Sequence, residues 1–232
     1  MLSNNIKTEE YYVSSIDLLG VKDIILTDTA DIHLNSIRNI YKSWTKIVGD
    51  SYFQNMKIKI FSDNLVIAIE ASQPKAADKL LETIGWICSH FLRCGYKPRG
   101  GVCKGRLYID DIFVWGSGLV DAYLLESKQA KYPRIILSEE VVNDAGKHLS
   151  DFQIDTDVDG IAYLNYLKAF GGNKHSWIEE ITEILEGLYQ EIEITKIKIS
   201  DGNTSDDYKK IYKKIEWLIR FAENTLSFWK NY

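Results

Sequence analysis

Hydrophobic and polar positions alternate across residues 57–70, where Ile58, Ile60, Leu65, Ile67 and Ile69 stand on either side of Ser62-Asp63-Asn64. A period of two around a polar triplet predicts a β-hairpin with a carboxylate at its turn. The apolar run at 11–19 is short and bounded by polar residues, which predicts a buried strand ending near Asp17, with Gly20 turning the chain. Between these segments Ile37, Ile40, Tyr41, Trp44 and Ile47 recur at helical spacing, so a helix is expected over 35–48 with its apolar face on the sheet.

A second amphipathic helix is expected over 74–93, opened by Pro74 and built on Ala77, Leu80, Leu81, Ile84, Ile87, Phe91 and Leu92. Gly95 and Pro98 stop it. A glycine-punctuated strand follows at 99–107, then a turn at Asp110-Asp111 and a short apolar run ending at Trp115. Gly116-Ser117-Gly118 opens a helix over 119–130, 135–137 returns as a strand, and Ser138 caps a helix with Glu139 and Glu140 in its first turn. Two long helical patterns at 177–192 and 208–229, joined by the polar segment 200–205, predict an antiparallel helical hairpin packed on the domain or on a partner. The order describes an α/β (α+β) palm, a ferredoxin-like and mostly antiparallel sheet with helices, over 1–172, and a helical appendage over 173–232.

Composition narrows what such a fold handles. A chain of 232 residues, 45% hydrophobic and 26% charged, is ordinary for a soluble globular protein. Its net charge of -5 argues against duplex nucleic acid, whose binding relies on many Lys and Arg contacts to phosphate. A small anionic ligand remains compatible if metal ions supply positive charge locally. No run of roughly 18 apolar residues occurs and the N-terminus lacks the basic and apolar regions of a signal peptide, so a cytoplasmic protein without membrane partners is expected. Cys88, Cys94 and Cys103 form no CxxC pair and are expected as buried, reduced thiols. The four histidines lie far apart without partners at ligand spacing and receive no metal or catalytic role.

Two carboxylates carry the candidate chemistry. Asp17 closes a buried strand, and Asp63 sits in a hairpin turn that a palm would lay beside it. Acids at adjacent strand ends repel unless a proton or cation lies between them. Magnesium is the usual remedy where phosphates are handled, since it binds one or two carboxylates together with substrate phosphates. An Asp in a turn is equally a turn former.

Several segments, in order, resemble the class III adenylate and guanylate cyclases. Ile16-Asp17-Leu18-Leu19-Gly20-Val21 is similar to their first metal motif, and Lys59-Ile60-Phe61-Ser62-Asp63 to their second, with Ser62 where Gly is usual. Arg99-Gly100-Gly101-Val102-Cys103-Lys104-Gly105 follows their central strand, and Val114-Trp115-Gly116 through Ala122, Glu126 and Ser127 resembles the lead into their catalytic helix. Ile135-Ile136-Leu137-Ser138 completes a likeness spanning 11–167.

The resemblance implies a homodimer with shared active sites. In it Asp17, Asp63 and the Leu18 carbonyl hold two Mg²⁺ or Mn²⁺ ions, and a nucleoside triphosphate is converted to a cyclic nucleotide and pyrophosphate. Lys59 falls at the base-selecting Lys, but its partner position is Phe113, so adenine selection is unsupported. The pyrimidine cyclases of bacterial antiphage defence are a divergent branch of the class that makes such a departure less surprising. The family's transition-state Asn and Arg align with Val120 and Leu124, and its late phosphate-binding Lys falls near Asp159. Lys104, Lys128, Lys131 and Arg134 are the nearby basic substitutes. Each has a bland alternative: Lys128 and Lys131 a solvated helix end, Arg134 a partner for a carboxylate, Gly100 and Gly101 close strand packing, and Trp115 a core residue. Two other readings stand beside the cyclase: a palm-type nucleotidyltransferase making a cyclic oligonucleotide, and an inactive nucleotide-binding dimer.

Overall fold

The computed structural model describes residues 6–27, 29–47, 55–169, 173–200 and 206–232. Its elements are β1 (Glu9–Leu19), α1 (Val21–Ile25), α2 (Ala30–Ile47), β2 (Met56–Phe61), β3 (Asn64–Glu70), α3 (Ala76–Arg93), β4 (Lys97–Ile109) and β5 (Val114–Trp115). Then come α4 (Ser117–Leu124), continued by a π-helical stretch Leu125–Gln129, β6 (Ile135–Leu137), α5 (Glu139–Asp144), α6 (Lys147–Phe152), β7 (Ile154–Thr156) and β8 (Ala162–Leu164). A 3₁₀ turn Tyr166–Lys168 leads to α7 (Lys174–Ser200) and α8 (Asp206–Asn231).

The eight strands form one sheet in the order β2-β3-β1-β4-β6-β8-β7, with β5 paired to β4. Every pairing is antiparallel except β4 with β6. The expected mixed fold with a mostly antiparallel sheet and a C-terminal helical hairpin is what the chain adopts.

Strand alternation divides the sheet into two faces. Tyr12, Ile16, Leu18, Leu65, Ile67, Ile69 and Val102 enter the main core with Leu80, Leu81, Ile84, Ile87 and Phe91 of α3. The apolar sides of α7 and α8, among them Ile181, Leu185, Ile215, Trp217, Leu218, Phe221 and Trp229, belong to that same cluster. Val13, Val66, Ala68, Cys103, Leu107 and Ile109 point the other way, where Ala122 and Leu119 of α4 cover only part of the sheet. That partly covered face carries the candidate site.

Gly101 lets α4 sit so close. A Cβ there would stand 2.5 Å from both the Ala122 carbonyl and Leu125 Cβ, so the close-packing reading of this glycine holds. Pro98 falls inside the central strand rather than only ending a helix. Its register partner is Leu18, while β6 pairing starts two residues later at Gly100, so the missing N–H leaves no gap in the ladder.

Several elements differ from expectation. The short α1, and the β7–β8 ribbon with α6, were too brief and too mixed in pattern to announce themselves. Helix α2 begins at Ala30 rather than 35, and Lys75, at φ +55°, rather than Pro74 precedes α3. Cys88 and Cys103 are buried, but Cys94 follows the last residue of α3 and is exposed. Trp115 is 66% exposed, because the two-residue β5 lies beyond the cover of α4. Val48, the connection at 201–205 and the boundary at 172 lie outside the described residues.

Candidate active site

Odd-numbered residues of β1 and β4 face the partly covered side of the sheet, as Val13 and Cys103 do. Asp17 and Arg99 are a register pair on these strands and so share that face. Arg99 Nη2 donates to Asp17 Oδ2 at 3.0 Å and also meets Glu126 Oε1 at 2.5 Å. Glu126 is only 3% exposed and sits in the π-helical stretch, where the wider turn brings its carboxylate over the strand.

Asp63 stands in the β2–β3 turn, next to Asn64, the register partner of Asp17. Ser62 takes a left-handed φ of +56° to make the turn so tight, and the Asn64 side-chain amide donates to Asp63 Oδ1 at 3.2 Å. The two carboxylates come together as expected. Burial raises the Asp17 pKa, Arg99 works against that rise, and Asp63 adds to it.

Backbone geometry aims Leu18 at the same place. Gly100 N–H donates to the Arg134 carbonyl and Ser138 N–H donates to the Val102 carbonyl, so even-numbered β4 residues direct their backbone groups to the β6 side. Arg99 and its partner Asp17 therefore face each other. Leu18, one residue on, directs its carbonyl to the β3 side, past the last β1–β3 pair and beside Asp63.

This donor set suits a hard divalent cation: two adjacent carboxylates and an aimed carbonyl, with room left for phosphate and water oxygens. Among the described residues no group of three or more His, Cys, Asp or Glu surrounds a common metal position. The fit is thus to an ion held jointly by protein and phosphate rather than to a closed protein cage.

The other expected residues divide. Lys59 lies on β2 and donates from Nζ to the Asp111 carbonyl, which brings it to the turn that carries Phe113. Asp110 shapes that turn by accepting from the backbone N–H groups of Ile112 at 2.8 Å and Phe113 at 2.7 Å. Phe113 stacks on Trp115 with ring centroids 6.2 Å apart. Lys59 and Phe113 therefore flank one region.

Lys104 does not join them. It faces the opposite side of the sheet, where it meets Asp144 at 3.1 Å and Glu140 at 3.4 Å. Its partner Tyr12 lies five residues before Asp17, roughly 17 Å along the strand. Arg134 is fully buried and held by Asp157 at 2.5 Å and Asp159 at 2.5 Å, so the position expected to carry a phosphate-binding Lys instead neutralises an internal arginine. Lys128 is exposed two residues past Glu126, and side chains so spaced do not share a helix face. Val120 and Leu124 are exposed on α4 at 55% and 40%, with Tyr123 beside them.

Sequence reasoning missed one member of the site. Glu126 was noted only within a motif, not as the partner of Arg99.

No family model matches the chain, and no curated protein matches it. Solved structures do. The adenylyl cyclase CyaB from P. aeruginosa aligns with 68% of this chain and 94% of its own, at 17% identity and a TM-score of 0.48. The non-canonical dimeric guanylyl cyclase domain of the RhoGC fusion protein from the aquatic fungus Blastocladiella emersonii aligns with 68% and 93%, at 15% identity and 0.49. A class III adenylyl cyclase-like ATP-binding protein from Pseudomonas aeruginosa aligns with 70% of this chain and 40% of its own, at 10% identity and 0.50. At these identities the likeness is one of fold: the chain has a class III cyclase-like fold.

Proposed function

We propose that this protein is a nucleotide cyclase that converts a nucleoside triphosphate to a cyclic nucleotide and pyrophosphate. The observation that carries the reading is the meeting of Asp17, Asp63 and the Leu18 carbonyl at one end of β1. In the reaction the ribose 3′-oxygen bonds to the α-phosphorus, the bond from that phosphorus to the bridging oxygen of the β-phosphate breaks, and the 3′-proton passes to solvent. Asp17, Asp63 and the Leu18 carbonyl would hold Mg²⁺ or Mn²⁺, which would supply charge to offset the phosphates and would acidify the hydroxyl.

The remaining roles belong to the chain. Arg99, gripped by Glu126, fixes the Asp17 carboxylate so that one oxygen stays turned to the site. Lys59 and the Phe113 ring border the space for the base on the open face. Ile112, Phe113, Trp115, Val120, Tyr123 and Leu124 are all exposed around that face. An apolar surface of this kind favours a second copy closing the site, hence a homodimer.

Substituting Asp63→Asn tests the assignment. Turnover of a triphosphate with Mn²⁺ should fall at least about a hundredfold, as for loss of a group aimed at the reacting charge, while the far-ultraviolet circular dichroism stays unchanged. Unchanged turnover contradicts the assignment.

Val120 and Leu124 favour a second reading, a nucleotide-binding dimer without chemistry. Neither side chain can donate a hydrogen bond to a transition state. Binding of a triphosphate with no product under any condition is the outcome specific to it.

A further inference from the structure

Trp115 borders two grooves of different character. One, at the start of α4, is lined by apolar groups such as Val114, Leu119 and Val120 and continues the apolar surface assigned to a second copy. The other, of about 430 Å³, lies between residues 6–8 and the side chains of Arg106, Tyr108, Phe113 and Trp115. The β4–β5 ladder explains why these groups meet. Tyr108 and Trp115 are a register pair, and alternate positions on a strand share a face, so Arg106 stands beside Tyr108 and Phe113 beside Trp115. The Phe113 and Trp115 rings lie parallel to within 11°, and the Tyr108 centroid is 6.4 Å from that of Phe113.

Arg106 supplies charge without a counter-charge. Its Nε donates to the Thr8 hydroxyl at 3.1 Å and its Nη2 to the Thr8 carbonyl, so the guanidinium is oriented by neutral groups and keeps Nη1 free. It forms no ion pair among the described residues. The neighbouring acids are engaged elsewhere. Glu10, the register partner of Arg106, reaches Lys104 at 3.8 Å, Glu9 falls on the opposite face with Leu107, and Asp110 accepts from the Tyr108 hydroxyl at 2.7 Å. No carboxylate lines the groove.

Exposed aromatic faces beside an oriented guanidinium recognise an aromatic ring joined to an anion, through stacking, cation–π contact and charge-assisted hydrogen bonds. The volume is in the range of small-molecule sites, and the net charge of -5 opposes a long polyanion. We propose that this groove is a binding site for a mononucleotide, its base against the Phe113 and Trp115 rings and its phosphate on Arg106. None of Asp17, Asp63, Arg99 or Lys59 lines it, so the site is separate from the two carboxylates and does not rest on the cyclase reading.

The probe is AMP, titrated calorimetrically into the full chain in EDTA, so that no metal joins a phosphate to Asp17 and Asp63. AMP should bind at or below about 1 mM, and adenosine and ribose 5-phosphate, each lacking half of the chemistry, about tenfold or more weakly than AMP. Trp115→Ala should weaken AMP and adenosine alike, about five- to a hundredfold, the loss expected for one base–aromatic stack. Arg106→Gln should weaken AMP about tenfold and leave adenosine unchanged, and Arg106→Lys should recover part of that loss. Both residues are exposed, and Asp63→Asn should bind AMP as the parent does. No AMP binding in EDTA, or an affinity untouched by Trp115→Ala and Arg106→Gln, overturns the site. Loss of AMP binding in Asp63→Asn places the nucleotide at the carboxylates and overturns it as well. Tighter binding of penta-adenylate than of AMP overturns the assignment to a free mononucleotide.

Discussion

Arg99 Nη2 stands 3.0 Å from Asp17 Oδ2, so the carboxylate that the proposed function assigns to a metal is already shared with a guanidinium. Arg99 in turn leans on Glu126, whose side chain is 3% exposed. The arginine keeps Asp17 oriented, and under the proposed function a cation would use the oxygen that Arg99 leaves open.

Removing Arg99 strands Glu126 in a buried position. Arg99→Met should destabilise the protein by about 2–4 kcal/mol in urea unfolding, in the range for breaking a largely buried pair and reduced for the partial exposure of Arg99. Arg99→Met combined with Glu126→Leu should recover part of the loss. Additive losses in the double variant would show that the two residues are not coupled.

The approach of α4 to β4 depends on Gly101. Gly101→Ala places a methyl 2.5 Å from the Ala122 carbonyl and from Leu125 Cβ, and overpacking of this kind costs about 1–3 kcal/mol. The melting temperature should fall, and so should Mn²⁺ affinity, because the displaced helix carries Glu126. A wild-type melting temperature would contradict this contact.

Metal binding should depend on pH in a defined direction. Burial raises the Asp17 pKa above the ordinary carboxylate value, Arg99 opposes it, and Asp63 adds to it. Protons compete with the cation for the carboxylate, so affinity is fullest above this raised pKa. It falls as pH drops through this raised pKa, at a higher pH than for an exposed aspartate. In Arg99→Met the fall should begin at a still higher pH, since the opposing cation is gone. Free Mn²⁺ measured by electron paramagnetic resonance across the titration reads this directly, and a shift to lower pH in the variant would contradict it.

The exposed Phe113–Trp115 stack and the neighbouring Val120 and Leu124 bear on assembly. Trp115→Glu puts a charge into this apolar surface. A dimer that uses it should become a monomer in sedimentation, with little change in melting temperature of the isolated fold. An unaltered dimer would place the contact elsewhere.

The legibility of the fold followed the strength of the local pattern. The β2–β3 hairpin was readable because alternation flanks a polar turn, and with it the place of Asp63. The two C-terminal helices were readable because their apolar stripes run for many turns. Strands β7 and β8 have three residues each, too few for a period, and they are held by the pairing of β8 with β6 and of β7 with β8. Trp115 was misread because hydrophobicity alone cannot tell a core from an exposed apolar surface. The roles of Arg134 and Lys104 turn on which face each residue occupies and which acids arrive there from distant segments. Glu126 enters the site by tertiary packing, through a widened helical turn, and it does not lie near Asp17 in sequence.

The central claim is that Asp17 and Asp63 support cyclisation of a nucleoside triphosphate. The most direct measurement incubates the protein with ATP, GTP, CTP and UTP in turn, with Mn²⁺, and weighs the products by mass spectrometry. The account predicts a cyclic mononucleotide and pyrophosphate from at least one of them, abolished in both Asp17→Asn and Asp63→Asn. Four unchanged triphosphates, or a product that persists in both variants, would contradict it.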